Sequence, residues 1–312
     1  MNILSAWLII VIYLALACPP WRNILHYLRK HSGDWSIVLL FLPYLLAVGF
    51  HPSITDVCRF LFCLALPTIL LRIRPQHAKP FDIYQILAIL ALWIFIEPDL
   101  FVLLFDLIIP GIDFTHTLTG FSLLPEAKAM LVPGVDIPVR TMTVIVLSFF
   151  LFLIYYPVTN VGFTFYIGPK DIRYALIGLF AFIIVGLPIG YGIGFLRFNP
   201  TLPGFMHIAV RIIGGYLLVA LLEEFFYRGI IQNLLSQRFG REWPALLLAS
   251  FIFGLAHLNN TTKYFSVPNW PYVLMATVAG ICYGWIWIKT KKVTVSAITH
   301  MLVNLIWYVL FR

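Results

Sequence analysis

Six polar side chains in the last third of the chain have types and spacing suited to hydrolytic chemistry. Glu223 and Glu224 begin the run Glu223-Glu224-Phe225-Phe226-Tyr227-Arg228, His257 closes Phe253-Gly254-Leu255-Ala256-His257, and His300 precedes Asn304 in His300-Met301-Leu302-Val303-Asn304. A carboxylate desolvated beside a histidine can act as a base toward water. Paired hydrogen-bond donors in a low-dielectric site are what a tetrahedral intermediate requires. On a helix, Glu224 and Arg228 stand four apart on one face, so they can pair and neutralise each other. Glu223 then points about 100° away and must face something else. His300 and Asn304 likewise share one side of their helix. The small residues Gly254 and Ala256 before His257 would let neighbouring helices approach closely. Singly, each feature has a structural explanation: a hydrogen-bonded histidine, an ion pair, an asparagine holding helices together. Their joint occurrence on three apolar segments within about 80 residues points to one shared site.

The segments that must position them read as bilayer-spanning helices. Of the 312 residues, 61% are hydrophobic and only 11% charged, with a mean hydropathy of +0.94. A soluble globular chain carries about 45–50% apolar and about 25% charged residues, so that class is excluded. Disordered, collagen-like, coiled-coil and disulfide-rich secreted classes are excluded as well. Candidate spans run over 3–18, 36–50, 58–71, 82–109, 141–157, 174–196, 208–235, 244–258, 272–288 and 293–310. The fourth is interrupted by Glu97-Pro98-Asp99 and reads as a short span followed by an interfacial piece. The expected fold is therefore all-α: a polytopic transmembrane bundle of eight to ten spans, with the active site between helices of the C-terminal half. Residues 1–200 form an N-terminal membrane region of unassigned role, with a polar connector at 110–140, and residues 201–312 the catalytic core. Residues 3–18 end in Leu-Ala-Leu-Ala-Cys18 but follow no basic residue, and Pro19-Pro20 comes next, so an uncleaved first helix is expected.

The formal charge of +8 belongs to topology rather than to nucleic acid, because the basic residues form no long run. With ten spans, one side holds Arg22, Arg29, Lys30, Arg72, Arg74, Lys79, Lys170, Arg173, Arg238, Arg241, Lys289, Lys291 and Lys292. The other holds Lys128, Arg140, Arg197, Lys263 and Arg312, so thirteen against five assigns the first set to the cytoplasm. Cys18, Cys58, Cys63 and Cys282 lie in apolar stretches without a CxxC and read as small apolar residues. Arg59 and Arg211, near helix ends, read as snorkelling cations. Glu97, Asp99 and Asp106 mark a boundary or the mouth of a cavity, and His26, His31, His51, His77, His116 and His207 sit in connectors. The Trp and Tyr residues at 264–287 read as belt and packing residues. There is no Gly-x-Ser-x-Gly elbow, Gly-x-Gly-Asp, His-Glu-x-x-His or Walker loop.

Glu-Glu-x-x-x-Arg, Phe-x-x-x-His and His-x-x-x-Asn, in this order, resemble the CPBP family, the CAAX-protease and bacteriocin-processing intramembrane proteases. Tyr227-Arg228-Gly229, Phe253-Gly254-Leu255-Ala256-His257-Leu258 and Ala297-Ile298-Thr299-His300 extend the likeness over roughly residues 210–310. The resemblance implies an intramembrane endopeptidase acting on a membrane-associated protein or peptide, in a bacterial cytoplasmic membrane. Glu223 would activate water with help from His257. His300 and Asn304 would stabilise the oxyanion, and Glu224 and Arg228 would hold their helix. No cofactor is favoured. The competing possibility is Zn²⁺ on Glu223, His257 and His300 with water as fourth ligand, but ligand histidines more often come as a close pair on one helix. A neutral His300 donating to the substrate oxygen would need no ion. The partners expected are the lipid bilayer and a protein or peptide substrate, with no nucleic acid, and the oligomeric state is left open. A non-proteolytic scaffold or bacteriocin-immunity-type protein retaining the fold is the alternative from another class.

Overall fold

The computed structural model describes residues 2–47, 53–109, 128–132 and 135–311. The chain divides into two compact units, Met1–Val158 and Thr159–Arg312. The boundary expected at residue 200 falls inside the second unit.

In the first unit, α1 (Asn2–Ala15) is followed by α2 (Pro19–Ser32), whose prolines occupy the first turn, where an N–H has no intrahelical acceptor. A 3₁₀ stretch, Gly33–Leu40, leads into α3 (Phe41–Ala47). Next come α4 (Ile54–Arg72) and α5 (Ile83–Ile96), the latter capped by Asp82, which accepts the Gln85 N–H at 3.0 Å. At Glu97-Pro98 the chain bends by 111° into α6 (Pro98–Ile108), as the proline led one to expect. The described part of the 110–140 connector holds a short antiparallel hairpin, β1 (Lys128–Val132) with β2 (Val135–Pro138), an exception to the all-α expectation. The rest of that connector lies outside the described residues. α7 (Val139–Tyr155) completes the unit.

The second unit carries α8 (Pro169–Gly192), α9 (Phe205–Phe239), α10 (Glu242–Leu255), α11 (Trp270–Thr290) and α12 (Val293–Leu310). The 35-residue α9 is not uniform. Two π-helical stretches, Gly215–Ala220 and Phe225–Gln232, flank the α-helical Leu221–Glu224 that bears the glutamate pair. π-Turns of this kind recur at functional sites. Gly240, at φ +64°, ends α9 in the left-handed conformation that glycine adopts without strain. α9 and α12 run antiparallel: Arg211 meets Tyr308, Glu223 faces His300, and Gly229 approaches Val293. α10 packs on α11 through Gly254, where a Cβ would lie 2.6 Å from the Val273 carbonyl and collide with Thr277.

Among the described residues, five helices are long and apolar enough to cross a membrane: α4, α8, α9, α11 and α12. The number rises to seven if each of two bent pairs makes one span. The apolar helices α7 and α10 are shorter and account for the difference from the eight to ten expected. The fold is an all-α polytopic bundle.

Candidate active site

Glu224 lies at the centre of a buried polar cluster. It and Arg228 are both 0% exposed, and Arg228 Nε sits 3.1 Å from Glu224 Oε2, the i,i+4 ion pair expected from the helix period. Two further groups complete its shell. Ser296 Oγ lies 2.5 Å from Oε2 and 2.8 Å from the Tyr283 carbonyl, so its single proton is shared between the two. His300 Nδ1 lies 3.0 Å from Oε1. The Arg228 guanidinium donates from Nη2 to the Gly280 carbonyl at 3.0 Å and rests on the Phe253 ring at 4.5 Å. Gly280 permits this: a Cβ there would stand 3.1 Å from Arg228 Nη2 and 3.2 Å from Phe253.

Glu223, one residue away, faces a different space, as its 100° offset requires. Its side chain is 33% exposed, and Oε2 stands 3.9 Å from His300 Nε2. His300 thus lies between the two carboxylates, with its ring stacked on Tyr283 at 4.5 Å and an interplanar angle of 15°. His257 is not within a helix as expected. α10 stops at Leu255, and His257 occupies the turn beyond it, with Nδ1 2.9 Å from the Phe253 carbonyl. Its ring packs between Phe253 and Tyr272, each at 4.8 Å. Counting from the Gly240 turn explains how it meets Glu223. Glu223 is sixteen residues before Phe239 and His257 fifteen after Glu242, about 24 and 22 Å along antiparallel helices. All four residues expected to do chemistry, Glu223, His257, His300 and Asn304, line one cavity of about 200 Å³.

Residues 205–306 match the Rce1-like family, the type II CAAX prenyl endopeptidases. This is a protease family, and the match agrees with the resemblance carried by the three motifs. It spans a third of the chain and includes all six residues of the cluster. No curated protein and no solved structure matches the chain.

Within the Rce1-like segment, hydrogen-bond donors and acceptors decide the tautomers. A carboxylate and a carbonyl only accept, so Nδ1 carries the proton on both histidines: toward Glu224 on His300, toward Phe253 on His257. Nε2 of a neutral ring is then an acceptor. With this tautomer, His300 can donate to a substrate oxygen from Nε2 only as an imidazolium. Among the described residues no three His, Cys, Asp or Glu side chains are grouped to hold an ion. Two cavity residues escaped the sequence reading: Tyr272 and Tyr283, taken for belt or packing residues, stack on His257 and His300. The partners Ser296 and His300 of Glu224 were equally invisible, since they come from another helix more than 70 residues away.

Proposed function

We propose that the chain is an intramembrane endopeptidase of the CPBP type that hydrolyses a peptide bond of a membrane-associated protein or peptide. The observation that carries this is the convergence of Glu223, His257, His300 and Asn304 on one cavity inside the segment matching a protease family. Glu223 takes a proton from water as the water oxygen attacks the scissile carbonyl. The cavity-facing Nε2 of His257 accepts the second hydrogen of that water and aims its lone pair. The tetrahedral oxyanion receives an N–H from Asn304 and, when His300 is an imidazolium, a second from Nε2. Collapse expels the amine, which takes the proton held by Glu223, and the new carboxylic acid passes its remaining hydrogen to that amine, giving a carboxylate and an ammonium group. Glu224 orients His300 through Nδ1 and is itself neutralised by Arg228. No step passes through a metal. On this reading the protein acts in a bacterial cytoplasmic membrane.

Membrane proteomics of wild type against Glu223→Ala tests the reading. A precursor that accumulates only in the variant is expected. Identical proteomes, with the variant present at normal levels, would favour a scaffold instead.

A further inference from the structure

The first unit contains a cavity that the reaction does not use. About 340 Å³ in volume, it lies between α1, α2, the 3₁₀ stretch and α7, and its walls include Ala15, Trp21, Leu25, Leu28, Leu39 and Phe150. No charged side chain lines it, and its two hydroxyls, Ser36 Oγ and Tyr155 OH, hydrogen-bond to each other. A cavity of this kind holds no water and takes an apolar guest. Its rim is open, because Val11, Trp21, Leu28 and Leu39 are all exposed. The outer wall is α2, which is amphipathic. Trp21, Ile24, Leu25 and Leu28 recur at i, i+3, i+4 and i+7 on one stripe, yet no residue of the helix is buried. The helical path starting at Pro19 is bent by 98° from α1, so α2 does not continue the direction of that helix. Over residues 19–47 the only acid is Asp34, against Arg22, Arg29 and Lys30. Arg29 is anchored at the polar end of the cavity. Its guanidinium lies 5.3 Å from the Tyr155 ring centre and 5.1 Å from that of Tyr156, and Nη1 donates to the Ile154 carbonyl at 3.4 Å. Asp34 stands 3.9 Å from Arg29 Nε and 3.7 Å from Arg72 Nε, so two guanidinium groups share one carboxylate and a positive charge is left over. Arg22 and Lys30 form no ion pair with a described residue.

We propose that this cavity and the basic edge of α2 bind one anionic phospholipid, with an acyl chain in the cavity and the phosphate between Arg22 and Arg29. The helix period supplies the register. Leu25, on the cavity wall, follows Arg22 by three residues and precedes Arg29 by four, so all three share one side of α2. The two arginines stand about 10 Å apart along the axis, with Leu25 between them. A chain that passes Leu25 enters the cavity while its headgroup stays within reach of both guanidinium groups. Methylene burial and charge attraction then act on the same molecule. Charge asymmetry assigns Arg22, Arg29, Lys30 and Arg72 to the cytoplasmic side, where basic helices meet anionic lipid. A zwitterionic lipid would fill the cavity equally well but would bring its own cation to the arginines. The site lies outside residues 205–306 and does not depend on the protease reading.

Lipid binding to the full chain in neutral detergent tests this. Native mass spectrometry gives the affinities for dioleoyl phosphatidylglycerol and dioleoyl phosphatidylcholine. Phosphatidylglycerol is expected to bind about 25-fold tighter, about five-fold for each of the two arginines beside the anionic headgroup. Arg22→Gln should cut that ratio about five-fold, and Arg22→Gln with Arg29→Gln should bring it near one. Arg238→Gln, in the other unit, should leave it unchanged. Ala15→Phe places a ring in the cavity and should weaken both lipids. A contact readout covers variants that fold poorly. Phosphatidylglycerol with dibrominated chains quenches tryptophan on contact, and wild type should show a saturable component that the conservative Trp21→Phe loses. Equal affinity for the two lipids, a preference that survives loss of both arginines, or quenching unchanged by Trp21→Phe would overturn the proposal. So would tight binding of glycerophosphoglycerol, the headgroup without its chains, which would make this an ion site. A lipid-free dimer that Ala15→Phe dissociates would likewise overturn it and give the cavity to a second copy of the chain.

Discussion

Replacing Arg228 by methionine leaves most of its volume and removes its charge. In the wild type Arg228 neutralises a carboxylate that is 0% exposed and occupies the Gly280 carbonyl. Removing one partner of a buried ion pair costs about 3–5 kcal/mol, and an orphaned carbonyl adds about 1–3 kcal/mol. Against this, Glu224 keeps Ser296 and His300 as neighbours at 2.5 and 3.0 Å, so the charge is only partly stranded. A net loss of about 3–4 kcal/mol follows. At about 2–4 °C per kcal/mol, it lowers the thermal midpoint by roughly 6–16 °C. The assay is thermal unfolding of purified protein in one detergent, at one scan rate, for Arg228→Met, Glu224→Gln and the double variant. The double variant contains no unpaired charge and should recover most of the loss, because a buried pair exchanged for neutral groups is close to neutral. Arg228→Met melting within 2 °C of wild type would refute the reasoning, as would a double variant less stable than Arg228→Met alone.

Gly254→Ala should separate α10 from α11, because a Cβ meets the backbone oxygen of Val273 at 2.6 Å; a loss of about 1–3 kcal/mol and displacement of His257 are expected, measured by melting and turnover together. Thr277→Ala should rescue this only in part, since the backbone clash remains. Asn304→Ala should lower kcat by about 10²–10³ with little change in melting, as for removal of one oxyanion donor; an unchanged kcat would remove Asn304 from that role. A membrane-permeant chelator should leave turnover intact, and loss restored by stoichiometric zinc would reverse the choice of a metal-independent mechanism.

What the sequence revealed and what it concealed divide along one physical line. The Glu224–Arg228 pair, the break at Pro98 and the divergence of Glu223 from its neighbour follow from the helix period or from proline stereochemistry, which are local. The position of His300 between two glutamates depends on the pairing of α9 with α12, and nothing in the order of residues 293–310 states which rung meets which. The same limit hid the tyrosines. Tyr272 and Tyr283 look like any aromatic of a membrane helix until Gly254 and Gly280 bring α11 close enough for them to touch the histidines. α2 falls between the first two candidate spans for a different reason: residues 19–32 are too polar to read as a span, yet both prolines fit the first turn of a helix. Arg197 and Lys263 were legible only as part of a charge count, and their stacking on Tyr264, like that of Arg211 on Tyr308, depends on contacts between separate segments.

The wide turn at Gly215–Ala220 lies between the Arg211–Tyr308 contact and the glutamate pair. An i→i+5 turn holds one residue more than its α-helical counterpart, and each residue of an α-helix is worth about 100° of rotation. Removing one residue between 215 and 220 would close the turn to ordinary α-helix without breaking the rod. Glu223, Glu224 and Arg228 would keep their places, since they lie beyond the deletion. Because the turn absorbs the residue it loses, everything before it, Arg211 included, would keep its face toward Tyr308. A residue removed from regular α-helix between Arg211 and Glu223 would instead swing the earlier part by about 100°. The relative phase of these two sites thus tolerates a change of one residue in length at this turn, where an ordinary helix would not.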